Sequence, residues 1–415
     1  MIKLLTIIGA RPQIIKAAAI SRAVRTQFAG QIEEHILHTG QHYDDNMSEV
    51  FFRELGIPEP DYNLHVGSGS HGVQTARIIE GIEAVLTGQI GDCRLENGDL
   101  KLKNGNCHYD GVIVYGDTNS TLAAAVAAAK IHVPVYHIEA GLRSFNMAMP
   151  EEQNRIVCDA LSTILFAPTE TAVRNLLGEG FSVEGLEVRG ERTPIKNRVR
   201  FADGRGQKVV LSGDVMYDNA LYFAPKAEEK SDIIERLGLK KKQFVLATIH
   251  RPANTDNAQN LRSIFRALSD IVASGMDVVV PLHPRTAQAL KGLKGERTAF
   301  GLQDALGTIG DRLKIIEPVG FYDIIRLEKE ARVVMTDSGG VQKEAFFYGT
   351  PSVILRPETE WVEIVDAGAG ILADADYDRI MAAYEALNGR EVKFPPLFGD
   401  GHASERILRE IVNEA

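Results

Sequence analysis

The chain has 415 residues, 44% of them hydrophobic and 25% charged, with a formal net charge of −10. That length sets a prior of two or three domains, and the composition is that of an ordinary globular protein. The acidic balance, broken only by a solvated Lys240-Lys241-Lys242 turn, excludes nucleic acid as a partner, because phosphate-backbone binding needs grouped cations.

From the N-terminus, short apolar runs rich in β-formers alternate with amphipathic stretches. "KLLTIIG" precedes "PQIIKAAAISRAVRTQF", and "EEHILHTG", "GVIVYGD", "VPVYHIEAG" and "TILFAPT" follow. A second series holds "QFVLATIH", "DVVVPLH", "LKIIEPV", "ARVVMTDSGG" and "PSVILR", with "NAQNLRSIFRALSDIVASG" among them. Such alternation predicts an α/β protein with parallel sheets and helices on both faces. The runs outnumber the strands one sheet holds, so the economical reading is two Rossmann-like, doubly wound domains. We expect them at residues 1–200 and 201–400, with the seam in the polar, turn-rich stretch 190–215. Residues 401–415 read as a terminal helix packing back on the first domain.

Residues 88–111 break the pattern. Asn97-Gly98 and Asn104-Gly105 favour tight hairpin turns, so a small β-hairpin insertion is expected. Cys93, Cys107 and Cys158 form neither a disulfide framework nor a CxxC metal pattern, and the first two read as reduced and incidental. The apolar run at the N-terminus is too short for a signal peptide. No stretch approaches the about 20 apolar residues of a membrane span. The expectation is a cytoplasmic protein with no membrane partner.

Ligands of open α/β sheets bind beyond the carboxyl ends of the strands, so the residues after each strand are the candidates. After the first comes "GARPQIIK". Arg11 and Lys16 bracket a helix N-terminus, which attracts anions; a plain helix cap with surface cations is the alternative. It is not GxGxxG, so no dinucleotide fingerprint is present. Further strand ends carry Asp117 and Glu139, and "PEEQNR" adds Glu151, Glu152 and Arg155. Asp117, Glu139 and Glu151 converging on one site would suit acid–base chemistry, since a shared, partly desolvated site separates their pKa values. Helix capping is the alternative for each alone. In the second half, His250-Arg251 and His283 with Arg285 stand at strand ends as candidate diphosphate contacts. Ser338-Gly339-Gly340 opens a helix where backbone N–H groups can meet a phosphate. Glu344, farther along that helix, can accept two ribose hydroxyls. Together they suggest a nucleoside diphosphate; a mere N-cap would explain Ser338 but not the rest.

The motifs "GARPQIIK", "TGQHYDDNMSEVFF", "YGDTNSTLAAA", "HIEAGLRSFNMAMPEEQNR", "PTETAVRNL", "GDVMYD", "HRPANTDN", "PLHPRT", "EPVGFYD" and "DSGGVQKEAFFYGTP" together resemble the non-hydrolysing UDP-N-acetylglucosamine 2-epimerase family over nearly the whole chain. The resemblance implies a GT-B-like architecture, two Rossmann-like domains facing across a cleft with the C-terminal helix crossing back. It implies a UDP-sugar substrate, inverted at C2 by elimination and re-addition of UDP. It implies no metal or redox cofactor, and a homodimer. Asp117, Glu139 and Glu151 match the family's catalytic carboxylates. Arg11, Lys16, His250 and the Ser338-Gly339-Gly340 amides would stabilise charge on the diphosphate, and Arg155 would sit beside the carboxylates. Glu344 matches the ribose contact, and the segment Phe321–Ile324 would flank uracil. Gln41 and His42 fall where some relatives are activated by their own substrate.

"RPETEWVE" looks closer to the branch acting on UDP-2,3-diacetamido-2,3-dideoxy-glucuronate. Plain UDP-GlcNAc enzymes show an arginine-proline pair in place of Trp361-Val362, so Arg356 and Trp361 are specificity positions; "GARPQ" and "SFNMAMPEE" point the same way. Two departures stand out. Ala253 replaces a frequent glutamate in "HRPAN", leaving open what orients His250. The insertion at 88–111 and the longer stretch at 183–208 bear on dimerisation, regulation or access. A hydrolysing epimerase, a GT-B glycosyltransferase and a non-catalytic UDP-sugar sensor are the competing readings.

Overall fold

The computed structural model describes residues 1–41, 52, 54–89, 108–181, 206–282, 284–293 and 312–414. The insertion's residues 90–107, with Cys93 and Cys107, and residues 182–205 lie outside them. Contacts divide the chain into two compact units, Met1–Asn219 with Pro396–Ala415, and Ala220–Pro395.

The first unit is built on a seven-stranded sheet, β3-β2-β1-β4-β5-β6-β7, parallel throughout. Its strands are β1 (Ile2–Ile8), β2 (Ile32–His38), β3 (Tyr62–Asn63), β4 (Gly111–Tyr115), β5 (Val135–Ile138), β6 (Ile164–Ala167) and β7 (Lys208–Leu211). Leu4, Leu5, Ile7 and Ile8 of β1 and every residue of β4 are buried, because helices cover both faces and a continuous apolar run results. The helices are α1 (Arg11–Thr26), α2 (His71–Leu86), α3 (Asn119–Lys130), α4 (Pro150–Leu161), α5 (Glu170–Gly178) and α6 (Val215–Lys230). Alanines 123–125, 127 and 128 of α3 are wholly buried in a core shared with Ile78, Ile82 and Val85 of α2. Small side chains there let α3 lie close to its neighbours.

The second unit has a six-stranded parallel sheet, β10-β9-β8-β11-β12-β13. Its strands are β8 (Phe244–Thr248), β9 (Asp277–Pro281), β10 (Leu313–Ile316), β11 (Val333–Thr336), β12 (Ser352–Ile354) and β13 (Gly370–Leu372). Helices α7 (Ile233–Arg236), α8 (Pro252–Thr255), α9 (Ala258–Ala273), α10 (Pro284–Leu293), α11 (Phe321–Glu330), α12 (Gly339–Phe347), α13 (Val362–Asp366) and α14 (Tyr377–Asn388) join them. Leu261, Ile264, Phe265, Leu268, Ile271 and Val272 recur at helical spacing and bury one stripe of α9 in the core over β8, β9 and β11. Asn257 starts that helix by accepting from the amides of Gln259 and Asn260.

Each sheet, counted from its own first strand, contains the Rossmann order 3-2-1-4-5-6. Strand order reverses between β1 and β4 in the first unit and between β8 and β11 in the second. Those two places are where an α/β sheet opens to a ligand.

The expected boundary at 200/201 moves to 219/220, inside α6, and residues 396–400 also join the first unit. Two contacts explain this. β7 pairs in register with β6, so the chain leaves the first sheet only after Leu211. Helix α15 (Ala403–Glu414) packs on the first unit, with Ile407, Leu408 and Ile411 buried. Asp218 of α6 caps it, accepting from Ala403 N at 3.0 Å, Ser404 N at 2.7 Å and Ser404 Oγ at 2.6 Å. Lys208 of β7 holds its other end through Glu410 and Glu414. No helix among the described residues is long and apolar enough to cross a membrane.

Replacing Asp218 by alanine removes all three capping bonds. We expect a loss of about 1–2 kcal/mol in urea unfolding, with faster amide exchange across Ala403–Glu414 than elsewhere in the first unit.

Candidate active site

At the first switch point the exits of β1 and β4 are tied by Gln13. Its Oε1 accepts from Gly9 N and Ala10 N, and its Nε2 donates to Tyr115 O and Thr121 Oγ1, each at 3.0 Å. One turn along α1, Lys16 forms an ion pair with Glu139, which follows β5. Gly116, just past β4, lies beneath that pair. Its φ is +63°, and a Cβ there would stand 3.1 Å from Lys16 Nζ and 3.2 Å from Glu139 Oε2. Glu139 itself is left-handed, at φ +74°. A non-glycine residue holds that conformation only where its surroundings enforce it.

Asp117 follows Gly116 and meets Arg155 of α4, Nη2 to Oδ2 at 2.7 Å. Arg155 Nη1 binds Glu152 Oε2 at 2.6 Å. Asn154 holds the Asp117 carbonyl at 2.8 Å. Burial pushes the Asp117 carboxyl above its ordinary range; Arg155 and Lys16 oppose the shift and Glu139 adds to it. Glu152 goes the other way. Burial would raise it, but hydrogen bonds from Ser144 and Phe145 and the Arg155 charge hold it below the usual range.

Beneath these groups is a fully buried ion pair, His137 with Asp159, Nδ1 to Oδ1 at 2.7 Å. The other ring nitrogen of His137 faces the Gly116 carbonyl at 2.9 Å. A carbonyl only accepts, so Nε2 carries hydrogen, and the carboxylate favours hydrogen on Nδ1 as well. His137 is therefore an imidazolium. Burial opposes its charge, yet the neighbouring Cys158 and the hydrogen bond and ion pair to Asp159 raise its pKa well above the usual value. Asp159 also takes Arg143 Nη2 at 2.7 Å and Gly141 N at 3.2 Å. One pair thus grips the turn carrying Asp117 and the turn after Glu139.

The structure brings Lys16, Glu139, Asp117 and Arg155 together. Glu151 is exposed in the first turn of α4 and makes no hydrogen bond or ion pair with them. Arg11 is exposed at the start of α1. Gln41 reaches the same region, its Oε1 accepting from Ser120 N at 3.1 Å and Ser120 Oγ at 2.6 Å. His42 lies outside the described residues, as do His283 and the Arg285 side chain.

At the second switch point β11 runs into Asp337, which is wholly buried. Its carboxylate accepts from His250 N at 3.1 Å, Arg251 N at 3.0 Å and Asn254 Nδ2 at 3.1 Å, and meets His250 Nδ1 at 3.0 Å. Burial alone would raise Asp337; these bonds outweigh it and hold the carboxyl below the usual range. Asp337 and Asn254 thus orient the His250 segment, next to Ala253. Ser338 caps α12, its Oγ accepting from Val341 N. Gly340 is exposed and open, whereas Gly339 has a packing cause: a Cβ there would fall 2.2 Å from Glu360 Oε1. Glu360 is held by Arg356 at 2.9 Å, and Lys343 Nζ stands 4.2 Å over the Trp361 ring, so Arg356 and Trp361 wrap the start of α12. Glu344 is half-buried on α12, and Ile324 half-buried in the first turn of α11 behind the buried Phe321. Among the described residues no His, Cys, Asp and Glu cluster is arranged to hold a metal ion.

Sequence reasoning missed Gln13, His137, Glu152 as an organiser, Asp159 and Asp337. Asp337 had a usable signal, since it ends a strand as Asp117 does. Glu152 and Arg155 stand at i,i+3 spacing on a helix, the spacing of an ion pair. His137 and Asp159 gave none.

The UDP-N-acetylglucosamine 2-epimerase family model matches residues 25–101 and 104–412. The chain is 44% identical over 406 residues to the UDP-2,3-diacetamido-2,3-dideoxy-D-glucuronate 2-epimerase of Pseudomonas aeruginosa, covering 98% of each. It is 37% identical over 410 residues to the UDP-N-acetylglucosamine 2-epimerase of Methanocaldococcus jannaschii, again 98% of each. The crystal structure of M. jannaschii UDP-GlcNAc 2-epimerase in complex with UDP-GlcNAc and UDP matches with a TM-score of 0.77 at 36% identity, covering 99% of this chain and 100% of that one. The chain belongs to the UDP-N-acetylglucosamine 2-epimerase family and is an isomerase, a UDP-sugar 2-epimerase.

Two outcomes are expected. Asp159→Asn leaves the His137 charge buried without its counter-ion and should cost about 3–5 kcal/mol in equilibrium unfolding. Asp117 has a raised folded pKa, so its ionisation costs stability as pH rises. The melting temperature of Asp117→Asn should therefore rise relative to wild type as pH goes from 4 to 8, whatever fixed cost the lost Arg155 ion pair adds at every pH.

Proposed function

We propose that this member of the family inverts C2 of UDP-2,3-diacetamido-2,3-dideoxy-glucuronate without net hydrolysis. The observation that carries the reading is the first switch point. Asp117 is inclined to hold a proton, and Glu139 is set against Lys16 a few residues away in space. Two carboxyls in unlike environments suit removal of a proton from one face and delivery to the other. The identity to the P. aeruginosa enzyme, nearly end to end, supports the substrate branch.

In the first half-reaction a carboxylate takes the C2 proton, the C2–H electrons form the C1=C2 bond, and the C1–O bond breaks toward the UDP β-phosphate oxygen. The second half reverses this, with the proton returning to the opposite face of C2 and the UDP oxygen to C1. Asp117 and Glu139 supply acid and base. The C2 hydrogen is barely acidic, so UDP must leave with help. Arg11, Lys16, His250, Arg251, His283 and the amides of Ser338, Gly339 and Gly340 stabilise charge growing on the diphosphate. Glu344 accepts the ribose hydroxyls, and Phe321–Ile324 flank the uracil. Arg356 and Trp361 set sugar specificity, and Gln41 with His42 forms the region through which substrate activates. The enzyme works as a cytoplasmic homodimer supplying surface-polysaccharide and lipopolysaccharide synthesis.

The test is incubation in D₂O with the diacetamido glucuronate and, separately, UDP-GlcNAc, followed by proton and phosphorus NMR. Deuterium at C2 of a manno product with UDP still attached is expected, faster with the first substrate. Free sugar and UDP would indicate hydrolysis; UDP binding without exchange would indicate a transferase or a sensor. Asp117→Asn should lower turnover about 10²–10⁴-fold with UDP affinity kept. Glu344→Ala should weaken UDP binding about tenfold by calorimetry.

A further inference from the structure

Between Glu139 and Glu152 the chain passes through one residue that is costly in two ways. Phe145 has a left-handed backbone, φ +56°, and its side chain is 79% exposed. Bulky L-residues avoid that conformation, and a bare aromatic gains nothing from water. A glycine or asparagine would serve the turn better on both counts.

The turn is held firmly. Glu152, itself buried, accepts on Oε2 from Ser144 N at 2.9 Å and Ser144 Oγ at 3.0 Å, and on Oε1 from Phe145 N at 2.9 Å. The same Oε2 takes Arg155 Nη1, and Arg155 Nη2 takes Asp117. Phe145 thus stands two side chains from Asp117, on a turn fixed by charge-assisted bonds. Met147, 59% exposed, follows two residues later.

We propose that Phe145 is a specificity-determining residue that packs on the acyl substituent carried by C3 of the sugar. The inference rests on the C2-epimerase reading above. C3 adjoins the carbon whose proton moves, so a ring held two side chains from Asp117 is within reach of its substituent. A C3 hydroxyl gains little from an aromatic face, whereas the methyl of an acetamido group gains burial. The backbone strain persists because it is what presents the ring, the usual reason such strain survives at a working site.

Phe145→Gly removes the ring and the strain together, so structure and function should part. The expected result is a melting temperature at or above wild type. With it, kcat/KM for the diacetamido substrate should fall about tenfold and that for UDP-GlcNAc by less than about threefold. Phe145→Tyr should keep most of the activity. The inference is overturned if Phe145→Gly keeps kcat/KM for the diacetamido substrate, if both substrates lose equally, or if stability falls along with activity. A wild-type enzyme inactive on both substrates would overturn the epimerase reading and this inference with it. An active wild type beside an unaffected variant would overturn only the inference.

Discussion

The His137–Asp159 pair is the constraint on which the first unit's chemistry depends. Two charges taken out of water are expensive, and their attraction repays the cost only when every remaining donor and acceptor is used. Here they are used. The imidazolium spends its second proton on the Gly116 carbonyl, and the carboxylate spends its second oxygen on Gly141 and Arg143. The polar pair sits inside a parallel sheet, where apolar packing would be simpler. What it achieves is directional. It sets the spacing of two strand exits, which hydrophobic contacts do not do, and those exits carry Asp117 and Glu139.

The second unit solves the same problem with one acid. Asp337 leaves β11 and gathers the amides that follow β8, so His250 and the start of α12 are fixed relative to each other. In the first unit Gln13 spans the switch point of the sheet and the His137–Asp159 pair joins the exits of β4 and β5, whereas in the second Asp337 spans it alone; in both, the groups offered to a ligand stand just beyond. Rigid second-layer hydrogen bonding of this kind keeps reactive side chains within the tolerance that positioning requires.

Much of this was legible in the sequence, and the residues it missed share a cause. The runs such as "KLLTIIG" and "ARVVMTDSGG" are strands because parallel strands buried on both faces must be continuously apolar. β3 escaped notice because it is only two residues long, and β7 because it directly follows the polar stretch that reads as a linker. Missing β7 misplaced the boundary, since a polar, turn-rich stretch read as a linker ends in a strand of the first sheet. Asp117, Glu139 and Lys16 were visible from position alone, as residues after strands. Gln13, Asp159 and Glu152 act by gripping backbone far away in sequence, and composition carries no trace of that. Gly339 was read as clearance for a phosphate, yet its lack of a Cβ also makes room for Glu360. Ala253 looked like a gap in the orientation of His250, and Asp337 supplies that orientation from another strand.

The placement of α15 has a consequence for how the protein is made. Residues 1–219 and 396–415 form one compact unit, with the whole second unit encoded between them. During synthesis the first sheet leaves the ribosome long before Ala403–Glu414 can dock and cover it. At ordinary elongation rates that interval is roughly ten to thirty-five seconds. Throughout it, the surface that Ile407, Leu408 and Ile411 will cover is open, and Asp218 waits with no helix to cap. The second unit folds and completes while the first is unfinished, so vectorial folding ends on the first unit. The nascent chain is most exposed to chaperones and to aggregation during this delay, however stable the finished enzyme is.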